Sequence, residues 1–194
     1  MNEDFSLRPD EIALIRPFLH DRLRRVISQG QPVHKRSYDQ FSQPVQLEFD
    51  GGAFQVYNDF VVANYFDDKE DCGRMSIVSP EEIPDPEFVM EIDRPVKNIL
   101  LATNRIRFSE SGESELPTFE FIYPRALIIC FDAFVLTIER GWHFMPDLNV
   151  QKHVGIPHTF LTGELFDWYN PESDDVCPDF QQTIVPISHL KIEK

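Results

Sequence analysis

A chain of 194 residues, 42% hydrophobic and 26% charged, can bury one substantial core without disulfides, so a single domain over residues 1–194 is expected. Its formal charge of −15, from 33 acids against 18 Lys and Arg, repels a phosphate backbone and argues against nucleic acid as a direct partner, while favouring a basic protein. No stretch reaches the roughly 18 consecutive apolar residues of a membrane span. The start, MNEDFSLRPDE, lacks the basic and apolar regions of a secretory signal, so a cytoplasmic protein with no membrane partner is expected.

From the N-terminus, Ile12, Ile15, Leu19, Leu23 and Val26 recur at spacings of three and four, which predicts an amphipathic helix over Pro9–Gln29, stopped by Gly30 and Pro32. Pro17 removes an interior N–H and should kink it or divide it. Arg16, Arg22, Arg24 and Arg25 would then form a solvated basic face. Val33–Phe41 reads as a connection or an edge strand. Gln43–Asn58 is the first hairpin: Leu47 and Phe49 alternate with Gln46 and Glu48, Asp50-Gly51-Gly52 makes the turn, and Phe54 and Val56 alternate with Gln55 and Tyr57. The polar positions Gln46, Glu48 and Gln55 predict that one face of this hairpin is open to solvent.

Phe60–Phe66 reads as a strand and Asp67–Asp71 as a charged loop whose spacing does not match an EF-hand. Ser79–Pro95 holds four prolines and is read as an exposed connector with at most one short strand near Phe88–Ile92. Two short strands, Val96–Leu101 and Arg105–Phe108, should flank Ala102-Thr103-Asn104. Ser109–Pro117 is a polar, acidic surface loop. Arg125–Phe144, RALIICFDAFVLTIERGWHF, carries the densest β-branched and aromatic content and reads as two buried strands broken at Asp132-Ala133. It echoes the first hairpin, with Phe49-Asp50 matching Phe131-Asp132 and Ala53-Phe54 matching Ala133-Phe134, and Ile128, Cys130 and Val135 replacing the earlier polar positions. Gly141–Pro146 is an aromatic segment able to close the core or form a contact patch. After the aromatic stretch Leu165–Tyr169, Asn170–Pro178 is an acidic loop, and Thr183–Ile187 and Leu190–Ile192 are candidates for closing strands. The expected fold is α+β: an N-terminal helix packed on a mainly antiparallel sheet built from two related hairpin units.

Chemistry-bearing motifs are sparse. The three cysteines, Cys72, Cys130 and Cys177, are too widely spaced for a disulfide framework or zinc knuckle and read as reduced thiols, Cys130 as a small buried hydrophobe. Six histidines fall in no HxH, HExxH or HxxxH pattern, and no phosphate-cradling glycine loop is present, so no metal and no cofactor are expected. Pro178 leaves no N–H after Cys177 for an oxyanion hole.

In size, acidity and the style of its FDGG hairpin, the chain resembles bacterial immunity proteins, small cytoplasmic antidotes that block a secreted, often basic toxin. The resemblance implies a non-catalytic protein-binding function but supplies no diagnostic motif. From the residues themselves, the expected contact sites are the acidic loops, Glu81, Glu82, Asp85 and Glu87 in one and Glu110, Glu113 and Glu115 in the other, with Trp142 and His143 as aromatic candidates. The alternative is a hydrolase-like site around Trp142, His143, His158 and Asp167.

Overall fold

The computed structural model describes residues 2–65, 68–110, 119–141, 147–157 and 176–191. Their main architecture is two facing β-sheets rather than α+β. In chain order the strands are β1 (Asn2–Asp4), β2 (Arg22–Ser28), β3 (Val33–His34), β4 (Asp39–Phe41), β5 (Val45–Phe49), β6 (Gly52–Tyr65) and β7 (Asp68–Val78). They continue as β8 (Phe88–Pro95), β9 (Asn98–Glu110), β10 (Phe119–Cys130), β11 (Val135–Arg140), β12 (Leu148–His153) and β13 (Val176–Pro186). One sheet has the order β13-β9-β10-β11-β12-β4-β3, with β1 also pairing β10; the other runs β7-β6-β5-β2-β8. All ladders are antiparallel except the short parallel β1–β10 pairing. The main core lies between the sheets and draws Leu23, Val26, Leu47 and Phe54 from one and Ile99, Leu127, Leu136 and Ile138 from the other.

The long N-terminal helix is replaced by three elements: α1 (Pro9–Ile15), a single 3-10 turn at Arg16–Phe18, and β2. Pro17 ends the helix, and His20, at φ 71°, turns the chain into the sheet. The helical spacing of Leu23 and Val26 arises from a β-bulge. The register to β5 shifts between Leu23 and Arg25, so an extra residue places Leu23 and Val26 on the same, buried face, as i and i+3 would be in a helix. What remains of the helix packs at β7. Glu11 on α1 is fully buried and accepts from Arg74 Nη2 at 2.7 Å, Arg74 Nη1 at 3.1 Å, the Arg8 N–H at 2.7 Å and the Ile77 N–H at 3.3 Å. The last of these covers a main-chain donor on an edge strand.

Both hairpins exist, but in opposite sheets. Phe49 pairs with Gly52 around Asp50-Gly51, and Phe131 N–H donates to the Phe134 carbonyl around Asp132-Ala133. Gly52, at φ +144°, occupies backbone space closed to other residues. Counting outward from each turn, the position of Phe54, opposite Leu47, is taken by Leu136, opposite Ile129. The Ala-Phe half of the sequence echo is therefore out of register.

The two strands expected on either side of Ala102-Thr103-Asn104 are one continuous β9. Asn104 is fully buried but satisfied: its Nδ2 donates to the Tyr123 hydroxyl at 3.3 Å, and its Oδ1 accepts from Gln182 at 2.6 Å. On β10, Arg125 is an extra residue where the register to β9 shifts between Pro124 and Ala126. Ile99 and Leu101 serve the main core, whereas Ile106 and Phe108 join Phe119, Phe121, Tyr123, Ala63 and Cys72 in a second cluster. The opposite parity on β9 puts the two clusters on opposite faces of the sheet, and the bulge keeps β10 in step.

Candidate functional site

Strands β7 and β8 are consecutive in sequence but lie on opposite edges of the five-stranded sheet. The segment between them, residues 79–87, must cross four strand spacings, roughly 19 Å. The crossing row can be read from the register: Val78 opposes Gln55, Gln55 opposes Gln46, Gln46 opposes Ile27, and Ile27 opposes Val89. Its route is over the outer face. The Glu81 carbonyl accepts from Gln55 Nε2 at 3.5 Å, and the Glu87 carbonyl from Gln31 Nε2 at 2.5 Å. Beneath it Ile27, Gln46 and Gln55 are buried, which overturns the expectation that this hairpin face is open to water.

Polar side chains at this strap are hydrogen-bonded in series, with Gln46 and Gln55 the buried members. The Tyr57 hydroxyl donates to Gln55 at 3.1 Å, Gln55 to Gln46 at 2.9 Å and Gln46 to Glu48 at 3.0 Å, while Arg25 Nε donates to the other Glu48 oxygen at 2.5 Å. A ladder satisfied in this way removes the cost of covering amides that the alternating pattern had assigned to solvent. The Tyr57 phenol is pushed above its usual range, first by burial and then by the negative charges of Glu81 and Asp59.

Four of the acids expected to bind, Glu81, Glu82, Asp85 and Glu87, stand exposed on this strap, with Pro80, Pro84 and Pro86 restricting its backbone. Among the described residues none of the four lies within 4.0 Å of a basic side chain, whereas several acids on the sheets are matched. Asp93 meets Arg24 at 2.6 Å and Arg22 at 3.3 Å, Glu120 meets Arg105 and Arg107 at 2.7 Å each, and Asp132 meets Lys97 at 3.3 Å. These contacts hold the Asp93 carboxyl, through Arg24 foremost, and the Glu120 carboxyl, through Arg105 foremost, below the ordinary range. The basic side chains Arg22, Arg24 and Arg25 therefore lie on a strand, engaged by acids, rather than along a solvated helix face.

Of the second acidic group, Glu110 ends β9, while Glu113 and Glu115 lie outside the described residues, as do Trp142, His143, His158 and Asp167. Cys177 falls in β13. Burial raises the pKa of the Cys130 thiol, the opposite of nucleophile activation. His153 Nε2 lies 3.0 Å from the Thr137 hydroxyl and 3.8 Å from Glu139, but Thr137 is fully buried, so this trio offers substrate no nucleophile. Among the described residues no group of three or more His, Cys, Asp or Glu could hold a metal ion, and no helix is long and apolar enough to cross a membrane.

Sequence reasoning missed two buried arginines. Arg125 and Arg140 are 1% and 0% exposed. Arg125 donates to the carbonyls of Arg140 and Gly141, and Arg140 lies 4.2 Å from the Tyr123 ring centroid and donates to the Gly73 carbonyl at 2.6 Å, tying the two sheets together. Nothing local in RALIIC or IERG marks either as interior. No family model matches the chain, and neither a curated protein nor a solved structure is detectably similar to it.

Proposed function

We propose that this chain is a non-catalytic, cytoplasmic binding protein of the immunity type, which captures a basic protein through the strap at residues 79–87. The observation that carries the reading is the concentration of charge on one short segment: four exposed acids on a strap tied to the sheet beneath, without basic counterparts among the described residues. Unmatched charge of one sign steers an oppositely charged protein into encounter and disfavours like-charged ones. A strap already held over hydrogen-bonded amides loses little freedom on binding, which preserves affinity. The Tyr57 hydroxyl next to this charge adds an aromatic contact of the sort that anchors interfaces.

The immobilised protein should retain a basic partner at low salt, with any basic product of a neighbouring gene as the first candidate, and release it as ionic strength rises. A variant with Glu81→Gln, Glu82→Gln, Asp85→Asn and Glu87→Gln should retain far less. Equal retention by the variant, or a partner held without regard to salt, would overturn the reading.

A further inference from the structure

The chain passes from one sheet to the other at Pro95-Val96-Lys97, between β8 and β9, and there it runs beside the β10–β11 turn. The Lys97 N–H donates to the Cys130 carbonyl at 2.8 Å, and its ammonium meets Asp132 at 3.3 Å. The two segments enclose a cleft of about 520 Å³ lined by Arg94, Pro95, Phe131, Asp132, Ala133 and Phe134. That volume is ordinary for a small-molecule site.

The lining has an apolar and a charged part. Phe131 and Phe134 pack with ring centroids 4.7 Å apart and planes at 32°, and Lys152 places its ammonium 5.5 Å from the Phe134 centroid. Asp132 is offset by Lys97. Arg94 is exposed, and among the described residues no carboxylate lies within 4.0 Å of it. An arginine without a carboxylate partner among the described residues, lining the same cleft as Phe131 and Phe134, is unexpected in a chain of charge −15. Its chemistry suits an anion with a flat apolar body, because guanidinium pairs with a carboxylate through two parallel hydrogen bonds and the rings supply contact area.

We propose that this cleft binds a small aromatic carboxylic acid, with its ring against Phe131 and Phe134 and its carboxylate on Arg94. The proposal does not depend on the strap's function.

Phenylacetate titrated into the full chain, followed by NMR at the resonances of Phe131 and Phe134, should bind saturably. Phenylacetamide, which keeps the ring and loses the charge, should bind about tenfold more weakly, as expected for loss of one charge-assisted contact. Arg94→Met should lose affinity for phenylacetate by the same factor, and acetate should not bind measurably. Since Arg94 is exposed, its variant should keep the wild-type melting curve, which makes a loss of binding interpretable. Equal binding of the amide, undiminished binding by Arg94→Met, acetate binding as well as phenylacetate, or no response to about 10 mM phenylacetate would each overturn the proposal.

Discussion

Glu11 gives the sharpest test of how the helix is attached. Its carboxylate is fully buried and takes four N–H groups: two from Arg74, one from the Arg8 backbone and one from the Ile77 backbone. Glu11→Ala leaves the Arg74 guanidinium, only 15% exposed, without its carboxylate, and leaves the N–H of buried Ile77 without an acceptor. Breaking a buried ion pair by removing one partner costs about 3–5 kcal/mol, and one stranded backbone donor alone accounts for roughly 1–3 kcal/mol. Arg74 can recover some hydration at its exposed edge, so about 3–4 kcal/mol is the expected loss. Glu11→Gln keeps the volume and one acceptor oxygen but turns an amide N–H₂ towards Arg74, and should cost roughly half as much. Urea denaturation monitored by tryptophan fluorescence and by far-UV circular dichroism would measure both, with the midpoint falling and the slope unchanged. The double variant Glu11→Ala, Arg74→Met should recover part of the loss, because the unpaired cation is then absent. A loss below about 1 kcal/mol for Glu11→Ala would refute the buried-pair reasoning and mean that α1 is held by Ile12 and Ile15 alone.

Two further predictions concern other parts of the molecule. A Cβ at Gly141 would lie 2.8 Å from the Asp147 carbonyl oxygen, whereas one at Gly155, φ +88°, meets nothing within 4 Å; Gly141→Ala should therefore cost about 2–3 kcal/mol through backbone displacement and Gly155→Ala about 1 kcal/mol through its left-handed conformation alone. Tyr57 should ionise above the usual phenol range in a spectrophotometric titration, because burial and the charges of Glu81 and Asp59 favour its neutral form. Glu81→Gln should move that titration back towards the ordinary value. A raised pKa of this kind supports the folded state below the unfolded phenol pKa and ceases to do so as pH rises through the folded value. A Tyr57 titration indifferent to Glu81→Gln would place the strap elsewhere.

Strands with plain alternation and a tight turn were legible in the sequence. The hairpin carrying Leu47, Phe49, Phe54 and Val56 is present, with Gly52 paired to Phe49 so that the turn is Asp50-Gly51 and one residue shorter than read, and Ala126–Cys130 pairs with Val135–Glu139. Where a bulge interrupts alternation, local pattern misleads, as when Leu23 and Val26 imitated a helix face, and a buried polar residue inside a strand misleads too, as when Asn104 imitated a break in continuous β9. The α+β expectation failed on the first of these, since removing β2 from the helix supplies the five-stranded sheet with an interior strand. Burial by distant chain is equally hidden. Gln46 and Gln55 are polar at alternating positions, and only the order β7-β6-β5-β2-β8 shows that a connector must pass above them. That same connector carries Glu81, Glu82, Asp85 and Glu87, so composition identified the acids while topology supplied their platform. Glu113 and Glu115 of the second acidic loop, and the aromatic segment at Trp142 and His143, lie outside the described residues.

The most direct measurement separates the strap from the overall charge of the chain. Two variants that remove four acids each would be compared for association with the basic partner at low salt: Glu81, Glu82, Asp85 and Glu87 on the strap, against the exposed Asp4, Asp10, Asp71 and Asp179 elsewhere, each changed to its amide. The strap variant should associate roughly ten- to a hundredfold more slowly than wild type, and the control variant within about threefold of it. Equal slowing of the two variants would mean that net charge, and not the strap, draws the partner in, and would contradict the account.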